Sequence, residues 1–252
     1  MSTWSVGRYE TVAEFIARIA AEVVAAVPHG PGTALVDLAC GTGNASLHAA
    51  GLGAQVTGVD ITPELLAIAA EKPGGDAVEW VASDASATGL PGASFDAAVS
   101  NMGIIFVEPA SMVAEIARLL KPGGALGFSA WVKAADNPFF TPVVEVLGQP
   151  QPGPYSPEQW GVPELVHERL ATDFTDVDIQ NRTLVWRFGS VDDAVRFVTA
   201  ESPVHVTTFT YLDDDTRARL IEAFTAAFAA HESSDGTVAF DAPYAVITAH
   251  RR

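Results

Sequence analysis

Asp37, Gly41, Gly43 and Asp60 are the residues whose types and spacing point most directly to chemistry. Residues 35–44 read Leu-Val-Asp-Leu-Ala-Cys-Gly-Thr-Gly-Asn, an apolar strand that runs into an acid and then into a glycine-rich turn opening a helix. A second short strand, 55–59, leads directly to Asp60. Two glycines let backbone amides lie close to a ligand, and an acid at the tip of the next strand suits a ribose diol. This is the layout of an adenosine-binding crevice at the carboxyl ends of parallel strands.

Other reactive side chains give weaker signals. Cys40 is the single cysteine, so no intrachain disulfide can form, and its place in the turn suits a small packing residue. No C-x-x-C or H-x-x-x-H spacing supports a metal site. Of the six histidines, His29, His48, His167, His231 and His250 read as solvated. His205 stands beside Pro203, Val204 and Val206 and is the candidate general base, although it reads more readily as a satisfied or surface histidine. Trp131, Phe139, Phe140, Tyr155, Trp160, Phe209 and Tyr211 could line an aromatic pocket, although each alone reads equally as packing.

The elements that position these residues follow from periodicity. Val12, Phe15, Ile16, Ile19, Val23 and Val24 predict a helix over 11–27, stopped by Pro28-His29-Gly30-Pro31-Gly32. Strands are expected at 34–38, 55–59, 78–81, 95–99 and 125–131, with helices at 44–51, 63–71 and 109–120 between them. Thr62-Pro63-Glu64 supplies a helix start, and Lys121-Pro122-Gly123-Gly124 a turn. Strands alternating with helices in this way predict a right-handed, mostly parallel sheet. Beyond Trp131 the pattern changes to helices at 142–147 and 163–172, a long strand at 177–188, helices at 191–200 and 213–230, and a last strand at 244–249.

The chain has 252 residues, 48% of them hydrophobic, with 31 acidic against 14 basic residues and a net charge of −17. A field of that sign repels phosphate backbones and anionic membrane surfaces, so nucleic acid and membrane are not expected partners. A small-molecule substrate is. No apolar run approaches the roughly 20 residues of a membrane span. The first residues lack a secretory pattern, and the single cysteine suits a reducing compartment, so a cytoplasmic protein is expected.

With these features in order, the sequence resembles the class I S-adenosylmethionine-dependent methyltransferases, closest to the small-molecule branch similar to ubiquinone and menaquinone biosynthesis enzymes and their actinobacterial relatives. The resemblance is carried by 36–44, by Gly58-Val59-Asp60-Ile61-Thr62-Pro63-Glu64-Leu65-Leu66, by Ser83-Asp84-Ala85, by Leu90-Pro91 with Phe95-Asp96, and by Lys121-Pro122-Gly123-Gly124. It implies an α/β fold, a doubly wound, mostly parallel, seven-stranded Rossmann-like sheet with a helical cap in the carboxyl-terminal half. It further implies one domain over 1–252, with a lead-in at 1–30, a cofactor-binding half at 31–133, and sheet completion with a substrate cap at 134–252, of which 190–231 is the helical part.

The same resemblance implies S-adenosyl-L-methionine as cofactor and S-adenosyl-L-homocysteine as product. Gly41 and Gly43 would lie along the methionine part, with Ala39 or Cys40 supplying main-chain contacts, and Asp37 would fix the loop and approach the cofactor's amino group. Asp60 would take the ribose hydroxyls, Ile61 one adenine face, and Asp84 with Ala85 the adenine edge. Ser100, Asn101 and Met102 would lie beside the transferring methyl, and Trp4 and Tyr9 would fold across the cofactor. The expected reaction is methyl transfer to a small apolar or aromatic metabolite. One rival is a cofactor-binding protein of this fold with a regulatory or non-methylating role. Another is an NAD(P)-dependent oxidoreductase, for which Ser46 stands where a third glycine is needed.

Overall fold

The computed structural model describes residues 3–151 and 153–252. The chain divides into two compact units. The first comprises Ile16–Lys133, Pro154–Arg182 and Tyr244–Arg252. The second comprises the segment ending at Phe15, Ala134–Gly153 and Thr183–Pro243. The seven strands are β1 (Ala34–Leu38), β2 (Gln55–Asp60), β3 (Val78–Ala82), β4 (Phe95–Asn101), β5 (Leu120–Trp131), β6 (Phe174–Phe188) and β7 (Val238–Arg251). Their order in one sheet is β3-β2-β1-β4-β5-β7-β6. Strands β1 to β5 pair in parallel, and β7 runs antiparallel to β5. The expected Rossmann-like sheet is therefore present, with an antiparallel strand joined to it.

The first unit is organised by apolar strands covered on both faces. After its first residue β1 is wholly buried, as is β2 after Gln55. Helices α1 (Tyr9–Ala25), α2 (Asn44–Gly51), α3 (Pro63–Glu71) and α4 (Pro109–Leu119) follow the predicted periodicity closely. Ile16, Ile19, Ala20, Val23 and Val24 form the buried stripe of α1 within this unit. Proline stands at the first turn of both α3 and α4. The Thr62 side chain makes no cap bond, whereas Glu108 caps α4 by accepting from the Ala110 and Ser111 amides. No helix joins β3 to β4. That segment is folded instead by Asp84, whose Oδ1 accepts from the Ser86 amide and hydroxyl.

The Lys121–Gly124 stretch is expected as a turn. It forms a bulge at the start of β5, since the pairing with β4 jumps from Phe95 with Leu120 to Ala97 with Ala125. Asp96 braces the same end by accepting from the Ala34 amide at 2.9 Å and the Lys121 ammonium at 2.6 Å. In the later part of the unit, α6 (Pro163–Leu170) follows a 3-10 turn carrying Trp160. That indole is fully buried, edge-on to Phe128, with the Arg169 guanidinium 4.6 Å above its ring.

The second unit holds α5 (Thr141–Leu147), α7 (Val191–Arg196), α8 (Pro203–Thr210) and α9 (Asp214–Ala229). Its core is aromatic. Phe139 lies within 6.3 Å, ring to ring, of Trp186, Phe188, Phe197, Phe228 and Phe240. Such pairs contribute about 0.5–1.5 kcal/mol each beyond their buried area. The predicted helix 191–200 continues past Arg196 as a π turn, Phe197–Glu201. Among the described residues no helix is long and apolar enough to cross a membrane.

Candidate functional site

The turn after β1 reverses tightly because Ala39, Gly41 and Gly43 adopt left-handed backbone angles, with φ of 53°, 55° and 80°. Ala39 accepts that strain. The reason for glycine at 43 is also spatial: a Cβ there would lie 2.6 Å from the Trp80 ring, and one at Gly58 would meet the same indole at 2.6 Å. Trp80 is thus wedged against the loop and β2, with its Nε1 donating to the Gly75 carbonyl at 2.9 Å. Spacing alone did not single it out.

Three acids stand at or just past the carboxyl ends of β1, β2 and β3. Asp37, 1% exposed, accepts through Oδ2 from the Ser46 amide at 2.9 Å and the Ser46 hydroxyl at 2.6 Å, joining β1 to the first turn of α2. Its Oδ1 is buried and has no hydrogen-bond partner. Burial pushes the Asp37 carboxyl up to about 7; the Ser46 bonds pull the other way and the nearby Asp60 charge adds to the rise. Asp60 is itself buried and engaged, accepting from the Gly41 amide through Oδ2 and the Thr62 amide through Oδ1, both at 2.8 Å. A ribose diol would have to use the remaining lone pairs of those oxygens. Asp84 is exposed at the end of β3 and uses only Oδ1 in its turn.

The loop is stitched to its neighbours by other contacts. The Cys40 amide donates to the Val59 carbonyl at 3.0 Å, and Lys72 Nζ to the Thr42 carbonyl at 2.8 Å. The Thr42 hydroxyl is buried without a partner. Burial, with the charges of Asp37 and Asp60, pushes the Cys40 thiol well above its ordinary range, so it stays protonated. Ile61, just past Asp60, is 61% exposed and presents an apolar surface at the end of β2.

At the end of β4, Ser100 donates to the Leu38 carbonyl at 2.7 Å and accepts from the Ile104 amide at 3.0 Å. Asn101 donates to the Ile16 carbonyl and accepts from the Ser129 hydroxyl, which in turn accepts from the Met102 amide. Met102 is left-handed, with φ of 56°. Ser100 and Asn101 therefore have structural bonds at the place where the sequence expects them to meet the methyl group. Ser129, on the neighbouring strand, was missed because a lone serine in an apolar strand carries no motif.

Residues 37 to 102 of the predicted set all lie in the first unit. Trp4, Tyr9 and His205 belong to the second. Trp4 and Tyr9 meet edge to face at 6.1 Å. His205 is half-buried, with Nε2 3.0 Å from the Phe139 carbonyl and Nδ1 2.7 Å from the Ser202 hydroxyl. A carbonyl only accepts, so Nε2 carries the proton and Nδ1 accepts from Ser202. Burial lowers His205 to about 4, so the ring is neutral. His231 is not fully solvated as expected; it is half-buried, 3.1 Å from the Asp136 carboxylate. Of the proposed aromatic lining, Phe139, Trp160 and Phe209 are packing residues, whereas Tyr211 is 83% exposed.

A strand–glycine-turn–helix with an acid on the next strand defines a nucleotide-binding α/β protein. Residues 36–128 match the family described as "Methyltransferase domain". An uncharacterized protein of Mycobacterium tuberculosis is 36% identical over 132 residues, 51% of this chain and 48% of its own. A demethylmenaquinone methyltransferase of Renibacterium salmoninarum is 33% identical over 126 residues, 50% of this chain and 52% of its own. The chain spans about half the length of the curated relatives it matches. The structure of YcgJ from Bacillus subtilis shares the fold, with a TM-score of 0.59 at 17% identity over 93% of this chain and 99% of its own. Residues 36–128 thus carry a methyltransferase domain, and these likenesses support a class I S-adenosylmethionine-dependent methyltransferase.

Proposed function

We propose that the protein transfers the methyl group of S-adenosylmethionine to a small apolar or aromatic metabolite. The observation that carries this reading is the junction of the left-handed loop with Asp60, where the Gly41 amide is bonded to the carboxylate. The chain's own groups fit the cofactor: a buried acceptor and a buried hydroxyl in the loop, Asp37 Oδ1 and Thr42 Oγ1, have no protein partner. Asp60 would hold the ribose, Ile61 would cover an adenine face, and Asp84 would use its second oxygen on the adenine amine.

The bound cofactor supplies a methyl carried on a sulfonium. The protein's share is to align the acceptor and keep water out, and alignment of this kind lowers a barrier by about 7–11 kcal/mol. A phenol or carbon acceptor also needs a base. His205 is the candidate, and its Nδ1 would first have to release the Ser202 hydroxyl.

Ser46 speaks against the dinucleotide alternative. It is completely buried and bonded to Asp37 at the place where a dinucleotide fold needs glycine. Calorimetric titration with S-adenosylhomocysteine, NAD and NADP tests the reading. Micromolar binding of the homocysteine nucleoside alone is expected, and a nicotinamide signal alone overturns it. Release of S-adenosylhomocysteine with an acceptor then separates transfer from mere binding, the remaining reading.

A further inference from the structure

The segments beyond β4 and β5 carry a cluster of donors that the cofactor reading leaves unused. The 3-10 turn Pro157–Gly161 is seated on the end of β5: a Cβ at Gly161 would lie 2.2 Å from the Trp131 carbonyl oxygen, and the Trp160 ring meets Phe128 edge-on at 5.3 Å. The Tyr155 hydroxyl donates at 3.4 Å to the carbonyl of Phe106, which closes the 3-10 turn after β4. Helix α6 then brings Arg169 back over the Trp160 ring. All of these residues belong to the first unit. Strands β1 to β5 are parallel, so the cluster stands at the same edge of the sheet as the glycine-rich loop.

Two donors in this cluster have no acceptor. Trp160 is 1% exposed and its Nε1 is buried without a partner, as is Nη1 of Arg169. Nη2 of Arg169 donates to the neutral Gln159 side chain, and among the described residues the guanidinium forms no ion pair. Glu168 and Glu108 act on it only at a distance, and Glu108 is committed to the cap of α4. The indole face attracts the cation, but it supplies nothing to its own Nε1. Buried donors without acceptors are costly, most of all on a charged group. Two of them on stacked side chains point to an acceptor that the chain itself does not provide.

We propose that Arg169 and Trp160 recognise a carboxylate on the methyl acceptor, so that the substrate is a small aromatic or apolar acid. This rests on the transfer reading above and narrows its substrate class. A carboxylate has one oxygen for Nη1, another for Nε1, and a single negative charge to balance the guanidinium. Phe106 and Val162, 38% and 37% exposed, offer apolar surface to the rest of such a molecule. In a chain of net charge −17 the general field disfavours an anion, so a local cation without an ion-pair partner is what selects one. The stack closes off both donor atoms, so the guanidinium lifts from the indole as the acid enters. Arg169 is half-buried and gives up only a hydrogen bond to a neutral amide in doing so.

The test is a ligand-observed NMR titration of the full chain, saturated with S-adenosylhomocysteine, against two probes of one shape, benzoate and benzamide. At ordinary ligand efficiency a probe of benzoate's size binds with a Kd below about 10 mM. Benzamide should bind at least about tenfold more weakly. Arg169→Gln should lower benzoate affinity at least about tenfold and abolish the preference over benzamide, with S-adenosylhomocysteine binding as the check on folding. Trp160→Phe keeps a stacked ring and removes only the Nε1 donor, so benzoate affinity should fall about two- to tenfold. That variant carries the test should Arg169→Gln not fold.

No benzoate binding at about 10 mM, equal binding of benzamide, or benzoate affinity unchanged by the substitutions overturns the carboxylate site and leaves the cofactor reading in place. The unpaired donors then hold water alone. Absence of S-adenosylhomocysteine binding overturns the cofactor reading and the acceptor assignment together.

Discussion

Glu115→Gln probes how the segment carrying Asp84 and Ala85 is held in place. Glu115 Oε1 accepts from the Thr88 amide at 2.9 Å, the Thr88 hydroxyl at 2.5 Å and Arg118 Nη2 at 2.7 Å, while Oε2 accepts from Arg118 Nε at 2.7 Å. Arg118 is the main reason the carboxyl falls from 4.5 to about 2; burial opposes it and the Thr88 bonds assist. The drop of about 2.5 units corresponds to about 3.4 kcal/mol at about 1.4 kcal/mol per unit. Arg118 is 42% exposed, so solvent screening reduces this to about 2 kcal/mol. Because the folded value is depressed, this stability is complete above pH 4.5 and is lost as the pH falls towards 2. Roughly two-fifths is gone at pH 3.5. Urea unfolding should show a gap between the unchanged chain and Glu115→Gln of about 2 kcal/mol at pH 7 and about 1.2 kcal/mol at pH 3.5. Other carboxylates titrate in both proteins and cancel in that gap. A gap of equal size at the two pH values, or none at pH 7, refutes the assignment.

Gly43→Ala should destabilise the chain by about 2–5 kcal/mol in urea unfolding, combining left-handed strain with overpacking against Trp80; a loss below about 1 kcal/mol contradicts the packing argument. Asp60→Asn should weaken S-adenosylhomocysteine binding at least about tenfold, or about 1.4 kcal/mol, and unchanged affinity by calorimetry removes Asp60 from the ribose role. His205 is lowered from 6.5 to about 4, so its contribution to folding is complete above pH 6.5 and lost as the pH falls towards 4. His205→Gln should flatten stability across that window, and a slope equal to that of the unchanged chain argues against the neutral, doubly bonded ring.

Local patterns made the sheet and the loop legible, because strands β1 to β5 and helices α1 to α4 each carry their own period and their own stop. The failures fall where tertiary bonds override local preference. Pro-Val-His-Val-Thr-Thr-Phe-Thr, rich in β-branched residues, is not an obvious helix. It forms α8 with the Thr208 and Thr210 hydroxyls bonded back to the carbonyls of Val204 and Val206. β7 begins at Val238, six residues before the expected start, despite Pro243. Its ladder with β5 starts only at Tyr244, so the proline lacks no partner on that side. In the crevice, residue types announced Asp37, Gly41 and Asp60. The bonds of Ser100 and Asn101, and the places of Trp80 and Ser129, depend on strands distant in sequence and could not be read from spacing.

The wedge of Trp80 also constrains how this loop can evolve. A methyl group at 43 or at 58 collides with one and the same indole. A smaller residue at 80 would remove the collision and at the same time open a void against both glycines. Positions 43, 58 and 80 therefore change in a preferred order: a lineage must first tolerate a smaller residue at 80 before alanine can enter at 58. The same alanine that is harmful beside tryptophan becomes a filling residue once the indole has gone. The left-handed backbone keeps position 43 closed for longer, so of the two glycines Gly58 is the one that such a history would release.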